Sequence, residues 1–350
     1  MLIRKNRFLL ISLLMIISIF VCIQGSVIAK QTIIVPSPGG TFEKAQREIM
    51  VADFEKENDA EVLIETLLSL QCLNMLKAEK DDPKLAVGNI DEIYGIQAVA
   101  EDLFATLDYS KLSNFKDVTP KAVADHGKYV GWFFAHELIA YNSEYVKDPP
   151  KSWEDLLDPK WEGKIIFPDI TTSHGMGMLV LLAKLNGGSE TNIDPGFEKI
   201  KALKPNILTF WTNHDQVARM LNLGEAWIAV WCSDRAYAQQ YVLNSPIRTV
   251  IPEEGLYYWR CVTGIPKNLK DKELAYKWID ALLSPKVQKY MTEAVLTVPV
   301  NTTIKLDLPA DLVDKLMSES TFDKFVKFDL VEVSKHAGEW TERFRREITD

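Results

Sequence analysis

The stretch KIIFPDITTSHGMGMLVLLAKL, residues 164–185, reads as a strand that runs directly into a helix. Ile165 to Pro168 close an apolar run, and Met176 to Leu185 have the look of a buried helix. Between them stand Thr171, Thr172, Ser173, His174 and Gly175. A helix N-terminus carries unpaired N–H groups and partial positive charge. Small and hydroxyl-bearing residues there either cap the helix or leave it open to a carboxylate, phosphate or phosphonate.

The same strand-to-helix pattern recurs along the chain. Residues 31–58, QTIIVPSPGGTFEKAQREIMVADFEKEN, give a strand, a Pro/Gly turn holding Ser37, Gly40 and Thr41, and an amphipathic helix. Residues 226–242, AWIAVWCSDRAYAQQYV, give a buried strand, a turn at Ser233, Asp234 and Arg235, and another helix. KYVGWFFAHELIAYN, 128–142, is a long extended apolar run. Residues 194–205 open a helix with Asp194 as N-cap and Pro195 as N1, and KELAYKWIDALLSPKVQKYMTEA is a helix pair broken at Pro285. Strands alternating with helices predict an α/β fold with a largely parallel sheet. No Gly/Ser linker divides it, which suits two lobes joined by crossing strands with a cleft between them.

At 350 residues with 47% hydrophobic residues, the chain can bury two cores. A formal net charge of −9, with no basic cluster after residue 8, argues against nucleic acid as a partner. Arg4, Lys5 and Arg7 precede the uncharged run FLLISLLMIISIFVCI and then SVIA, which predicts a signal peptide over residues 1–29 and export. Cys72, Cys232 and Cys261 would remain in the exported chain, as three buried thiols or as one disulfide plus a free thiol.

Motifs for catalysis are missing. HELIA, 136–140, starts like a zinc-protease helix, but Ala140 replaces the second histidine. There is no nucleophile elbow, P-loop or dinucleotide fingerprint, and neither metal nor cofactor is expected. The expectation is a binding protein and not an enzyme. Its candidate ligand residues are Ser37, Gly40, Thr41, Tyr94, Thr172, Ser173, His174, Trp211, Ser233, Asp234, Arg235, Tyr258, Trp259 and Arg260. Trp259 beside Arg260 in LYYWRC is the leading stacking candidate. A charge at Arg235, after a buried strand, wants an anionic partner in the ligand or in Asp234 or Glu225. Asp91 and Glu92 offer carboxylates to a cationic group, or a solvated loop.

YNSEYVKDPPKSWEDLLDPKWEGKIIFPD, followed in order by LNLGEAWIAVW, VIPEEG and GIPKNLKDKELAYKWIDALLSPKVQKYM, resembles the solute-binding proteins of ABC importers. The spermidine/putrescine group and its ferric-ion relatives are the nearest, and the resemblance spans nearly all of residues 31–305. It implies a type II periplasmic-binding-protein architecture of two α/β lobes with hinge-crossing strands and an interlobe cleft, closing on a solute by hinge motion. Lobe one would comprise 31–138 plus 266–350, and lobe two 139–265. A membrane permease would be the partner and the periplasm the location. Polyamine binders of this kind carry a tryptophan and, two residues on, an aspartate; here Trp259 is followed by Cys261. They also carry acids where this chain has Thr172, Ser173 and His174, and the ferric tyrosine pair is reduced to Tyr237. The resulting expectation is a small solute with a carboxylate or phosphonate end and an amine. A true polyamine is the alternative, and a chemosensory binding protein or a secreted hydrolase stands further off.

Overall fold

The computed structural model describes residues 30–317, 321 and 323–349, so the signal-peptide expectation over 1–29 lies outside the described residues. Strand β1 (Gln31–Ser37) leads into helix α1 (Gly40–Gln46), a π-helical turn (Arg47–Val51) and α2 (Ala52–Asn58). Then come β2 (Ala60–Thr66), α3 (Ser69–Ala78), β3 (Gly88–Asp91), α4 (Glu92–Ala100) and the long β4 (Val130–Asn142). The middle of the chain forms β5 (Ile165–Pro168), α5 (Ser173–Leu185), α6 (Asp194–Leu203), β6 (Ile207–Trp211), α7 (His214–Asn222), β7 (Ile228–Cys232), α8 (Ser233–Tyr237) and β8 (Ile247–Val250). The last part holds β9 (Tyr258–Gly264), α9 (Glu273–Leu283), α10 (Pro285–Val295), β10 (Val298–Pro299), α11 (Ala310–Met317) and α12 (Leu330–Phe344). The helix pair breaks at Pro285 as the sequence predicted; Ser284 caps α10 through the Val287 amide, with Pro285 at the first position. Helix α6 differs by one residue: Ile193 is its N-cap, and Asp194 instead pairs with Arg343.

Strand β4 organises the fold. Its residues 130–136 pair with β9, and Phe133 and Phe134 also pair with β10. From Glu137 onward its partners are β7 and β8. The change between His136 and Glu137 ties two sheet regions into two lobes. Among the described residues, the β1–β2, β5–β6 and β5–β7 ladders are the parallel ones. The expected largely parallel sheet is therefore mixed, because β4, β9 and β8 run through or beside the junction against the direction of their neighbours.

The tail, expected within lobe one as part of 266–350, makes contacts on both sides of the partner change in β4. The Leu256 amide donates to the Lys324 carbonyl at 2.7 Å and the Val326 amide to the Leu256 carbonyl at 3.0 Å. Phe328 stacks on Tyr257, Tyr241 donates to Asp311, and Lys201 pairs with Glu347. These contacts return part of the tail to the segment between 185 and 258, α12 also packs on α4, and α10 packs near α1 with its Lys286 reaching Asp53. Apolar side chains of the tail, among them Trp340 and Phe344, are buried by this return. Cys72, Cys232 and Cys261 are all buried and free.

Candidate functional site

The strand-to-helix junctions of both lobes face one another across a cavity of about 380 Å³, a size suited to a small organic solute. Pro38 to Gly40 after β1, Asp91 after β3, Thr171 to His174 after β5, Thr212 to His214 after β6, and Asp234 and Arg235 after β7 all line it. Its walls are aromatic: Phe42, Tyr94, Trp132, Phe133, Trp211 and Trp259. Phe42 packs edge-on to Trp132 with centroids 5.8 Å apart, and Phe133 edge-on to Trp259 at 5.7 Å. Such rings are rigid and hold a flat apolar or cationic group without ordering flexible side chains.

Three hydrogen bonds span the cavity. Ser173 Oγ donates to Asp91 Oδ2 at 2.6 Å, Tyr94 Oη to the Thr171 carbonyl at 3.2 Å, and Arg235 Nη1 to Thr41 Oγ1 at 3.0 Å. Arg235 Nε lies 3.6 Å from Asp234 Oδ2, beyond hydrogen-bond range, and Asp234 Oδ1 is buried without a partner among the described residues. Burial pushes the Asp91 carboxyl up, and the nearby Asp234 adds to this, against His174, Ser173 and Ser69. His174 Nδ1 lies 2.5 Å from Glu137 Oε1. Burial works against a charged His174 ring, but Glu137, Asp91 and Asp234 outweigh it and raise its pKa. His214 is the opposite case: burial, then the charges of His174 and Arg235, hold it well below the usual histidine range. Trp231 Nε1 donates to His214 Nδ1 at 3.1 Å, so the proton of this neutral ring sits on Nε2.

Of the residues singled out from the sequence, Gly40, Tyr94, Thr172, Ser173, His174, Trp211, Asp234, Arg235 and Trp259 line the cavity. Ser37, Thr41, Ser233, Tyr258 and Arg260 do not. Ser37 is buried behind Pro36 and Pro38, Thr41 reaches the site only through Arg235, and Ser233 accepts from the His136 amide. Tyr258 and Arg260 lie on β9 with Trp259 and Cys261, and strand side chains alternate in direction. Trp259 and Cys261 therefore face the cavity while Tyr258 stacks on Phe325 and Arg260 is held by Glu92 on the other side. Arg260 Nε donates to Glu92 Oε2 at 2.7 Å and Nη1 to the Lys121 carbonyl, a closed network with no vacancy for a ligand in the cleft.

The glycines of SHGMG also serve a different purpose from ligand approach. A Cβ on Gly175 would sit 2.0 Å from the Asp169 carbonyl oxygen, and one on Gly177 would sit 2.0 Å from the Tyr257 ring. Thr172 caps α5 by accepting from the Gly175 amide at 3.0 Å. Sequence reading passed over Trp132, Phe133, Asn213 and His214. The start of α7 at a strand end carried the signal for His214; nothing local marked Trp132 or Phe133.

Among the described residues no helix is long and apolar enough to cross a membrane, and no group of three or more His, Cys, Asp or Glu could hold a metal ion. Two α/β lobes joined by crossing strands around an aromatic, charge-lined cavity define a two-lobed binding protein. The profile of the bacterial extracellular solute-binding protein family matches residues 91–331, and the chain belongs to that family. It is 29% identical over 303 residues to the spermidine/putrescine-binding periplasmic protein of Salmonella typhimurium, covering 83% of this chain and 82% of that protein. A second Salmonella typhimurium periplasmic protein, provisionally named for binding 2-aminoethylphosphonate, is 25% identical over 199 residues, 55% of this chain and 58% of its own. The fold superimposes with a TM-score of 0.73 on an ABC transporter structure from Clostridium perfringens, at 26% identity, covering 91% of this chain and 100% of that one. It matches the periplasmic binding protein AfuA from Actinobacillus pleuropneumoniae with a TM-score of 0.75 at 22% identity, covering 92% and 99%.

Proposed function

We propose that this solute-binding component of an ABC transporter captures a small zwitterion, an amino compound ending in a carboxylate or phosphonate, and delivers it to a membrane permease from the periplasm. The observation that carries the reading is the division of charge in the cavity. Arg235 and the raised-pKa His174 offer positive charge, with the Nε2 proton of His214 on a ring that also lines the cavity. Asp91 and the unpartnered Oδ1 of Asp234 offer negative charge to an ammonium group. The apolar middle of the solute packs on Trp259, Trp211 and Tyr94.

The lobes then comprise residues 30–136 with 259–301, and 137–258, with α12 reaching from α4 of the first to Phe210 of the second, which follows the partner change in β4. Three carboxylates near the cavity, Asp91, Asp234 and Glu137, keep a polyamine as the second reading. A thermal-shift screen of 2-aminoethylphosphonate, γ-aminobutyrate, putrescine and spermidine separates the two. Binding to the native state alone raises the melting temperature in proportion to affinity and concentration. The zwitterions should give the larger shift; a larger shift with putrescine or spermidine would replace the first reading with the second.

A further inference from the structure

We propose that Glu137 is a positioning residue that keeps the His174 imidazole in its charged form, and thereby selects solutes bearing an anionic group. Glu137 is fully buried, does not line the cavity and stands on β4 where the strand changes partners. It therefore acts through His174, which does line the cavity. Its Oε1 meets His174 Nδ1 at 2.5 Å, and its Oε2 has no partner among the described residues. A buried carboxylate with one oxygen unsatisfied is sustained by a charge, and the imidazolium is the charge in contact with it.

The other groups around the ring divide into those that favour its charge and those that oppose it. Asp91 at the β3–α4 junction and Asp234 on α8 favour it, whereas Arg235 on α8, a like charge lining the same cavity, works in the opposite direction. His214 on α7 lies edge-on with its centroid 5.2 Å away, and it is held neutral. The rings of Trp211 and Trp259 fill the remaining sides at 5.1 and 5.5 Å. The start of α5 adds a partial positive charge that also disfavours the proton. Glu137 is the only acid in hydrogen-bonding contact with the ring among the described residues, so removing its charge should leave His174 neutral at neutral pH. The sign follows from the raised pKa: the positive charge offered to the solute is full on the acid side and is lost as pH rises through the His174 value.

The consequence for solute choice rests on the zwitterion reading above, but the protonation state of His174 does not, and the test separates them. Nitrogen-15 spectra of the ring-labelled, full-length protein report the His174 state without any ligand. In the wild type both ring nitrogens should carry protons at neutral pH; in Glu137→Gln one should be bare. Calorimetry with 2-aminoethylphosphonate should show affinity falling about tenfold in Glu137→Gln at neutral pH, the difference between a charged and a neutral donor. Lowering the pH should recover that loss in Glu137→Gln but not in His174→Gln. A neutral His174 in the wild type at neutral pH overturns the proposal, as does an unchanged pH profile in a folded Glu137→Gln protein. If Glu137→Gln fails to fold, the wild-type spectrum alone decides. A charged wild-type ring with no binding of 2-aminoethylphosphonate or γ-aminobutyrate supports the role of Glu137 and refutes the zwitterion reading instead.

Discussion

Replacing Arg235 by methionine tests the anionic end of the cavity. The Arg235 side chain is only 18% exposed, and its guanidinium donates to Thr41 at 3.0 Å while the Asp234 carboxylate oxygen is 3.6 Å away. Its donors are therefore not saturated by the protein, and a solute anion has bonds to gain. Methionine keeps the apolar stem near Phe42, whose ring centroid lies 5.9 Å from the guanidinium carbon, so packing is largely retained. A hydrogen bond to a charged group contributes about 1.5–3 kcal/mol, which predicts binding weaker by roughly ten- to a hundredfold. Isothermal calorimetry with 2-aminoethylphosphonate reads this directly, with circular dichroism as the check on folding. Putrescine is the control: without the cation beside Asp234 its affinity should hold or rise. Affinity for 2-aminoethylphosphonate unchanged within about twofold in a folded variant would remove Arg235 from the site.

Other substitutions separate stability from binding. Arg260→Met leaves Glu92 buried without its cation, keeping the Tyr129 hydroxyl as donor, so it should cost about 3–5 kcal/mol in denaturant unfolding while the folded fraction binds solute as before. Gly177→Ala forces a methyl group into the Tyr257 ring and should lower stability by about 1–3 kcal/mol in the same measurement. Asp91→Asn should raise the melting temperature of the ligand-free protein yet weaken every amine-bearing solute. Burial raises the Asp91 pKa, so its ionised form is a cost that is absent below the ordinary carboxylate range and complete above the raised value. The stabilisation by asparagine should accordingly vanish in acid, which a pH series of thermal scans checks.

The residues differ in how far the sequence alone revealed them. The run 128–142 announced a long extended strand, because residues with almost no charge fit a strand buried on both faces, but its crossing between the lobes left no local mark. The turns at Thr171 to His174 and at Asp234–Arg235 were found because strand ends that open into helices are local patterns. Arg260 is hidden for an equally local reason: LYYWRC reads as a cluster, whereas the two-residue period of a strand separates Trp259 from Tyr258 and Arg260. The pairing of Glu137 with His174 could not be read at all. It joins residues 37 apart and depends on where the hinge strand meets α5. The course of the tail was hidden likewise, since its contacts with Leu256 and Tyr257 are set by tertiary packing and leave no periodic trace.

The most direct test is a crystal structure with 2-aminoethylphosphonate bound. The account predicts the phosphonate oxygens within hydrogen-bonding distance of Arg235 and His174, the ammonium between Asp91 and Asp234, and Trp259 against the carbon chain. A solute seated with its ammonium toward Arg235, or held outside the space between the lobes, would contradict it.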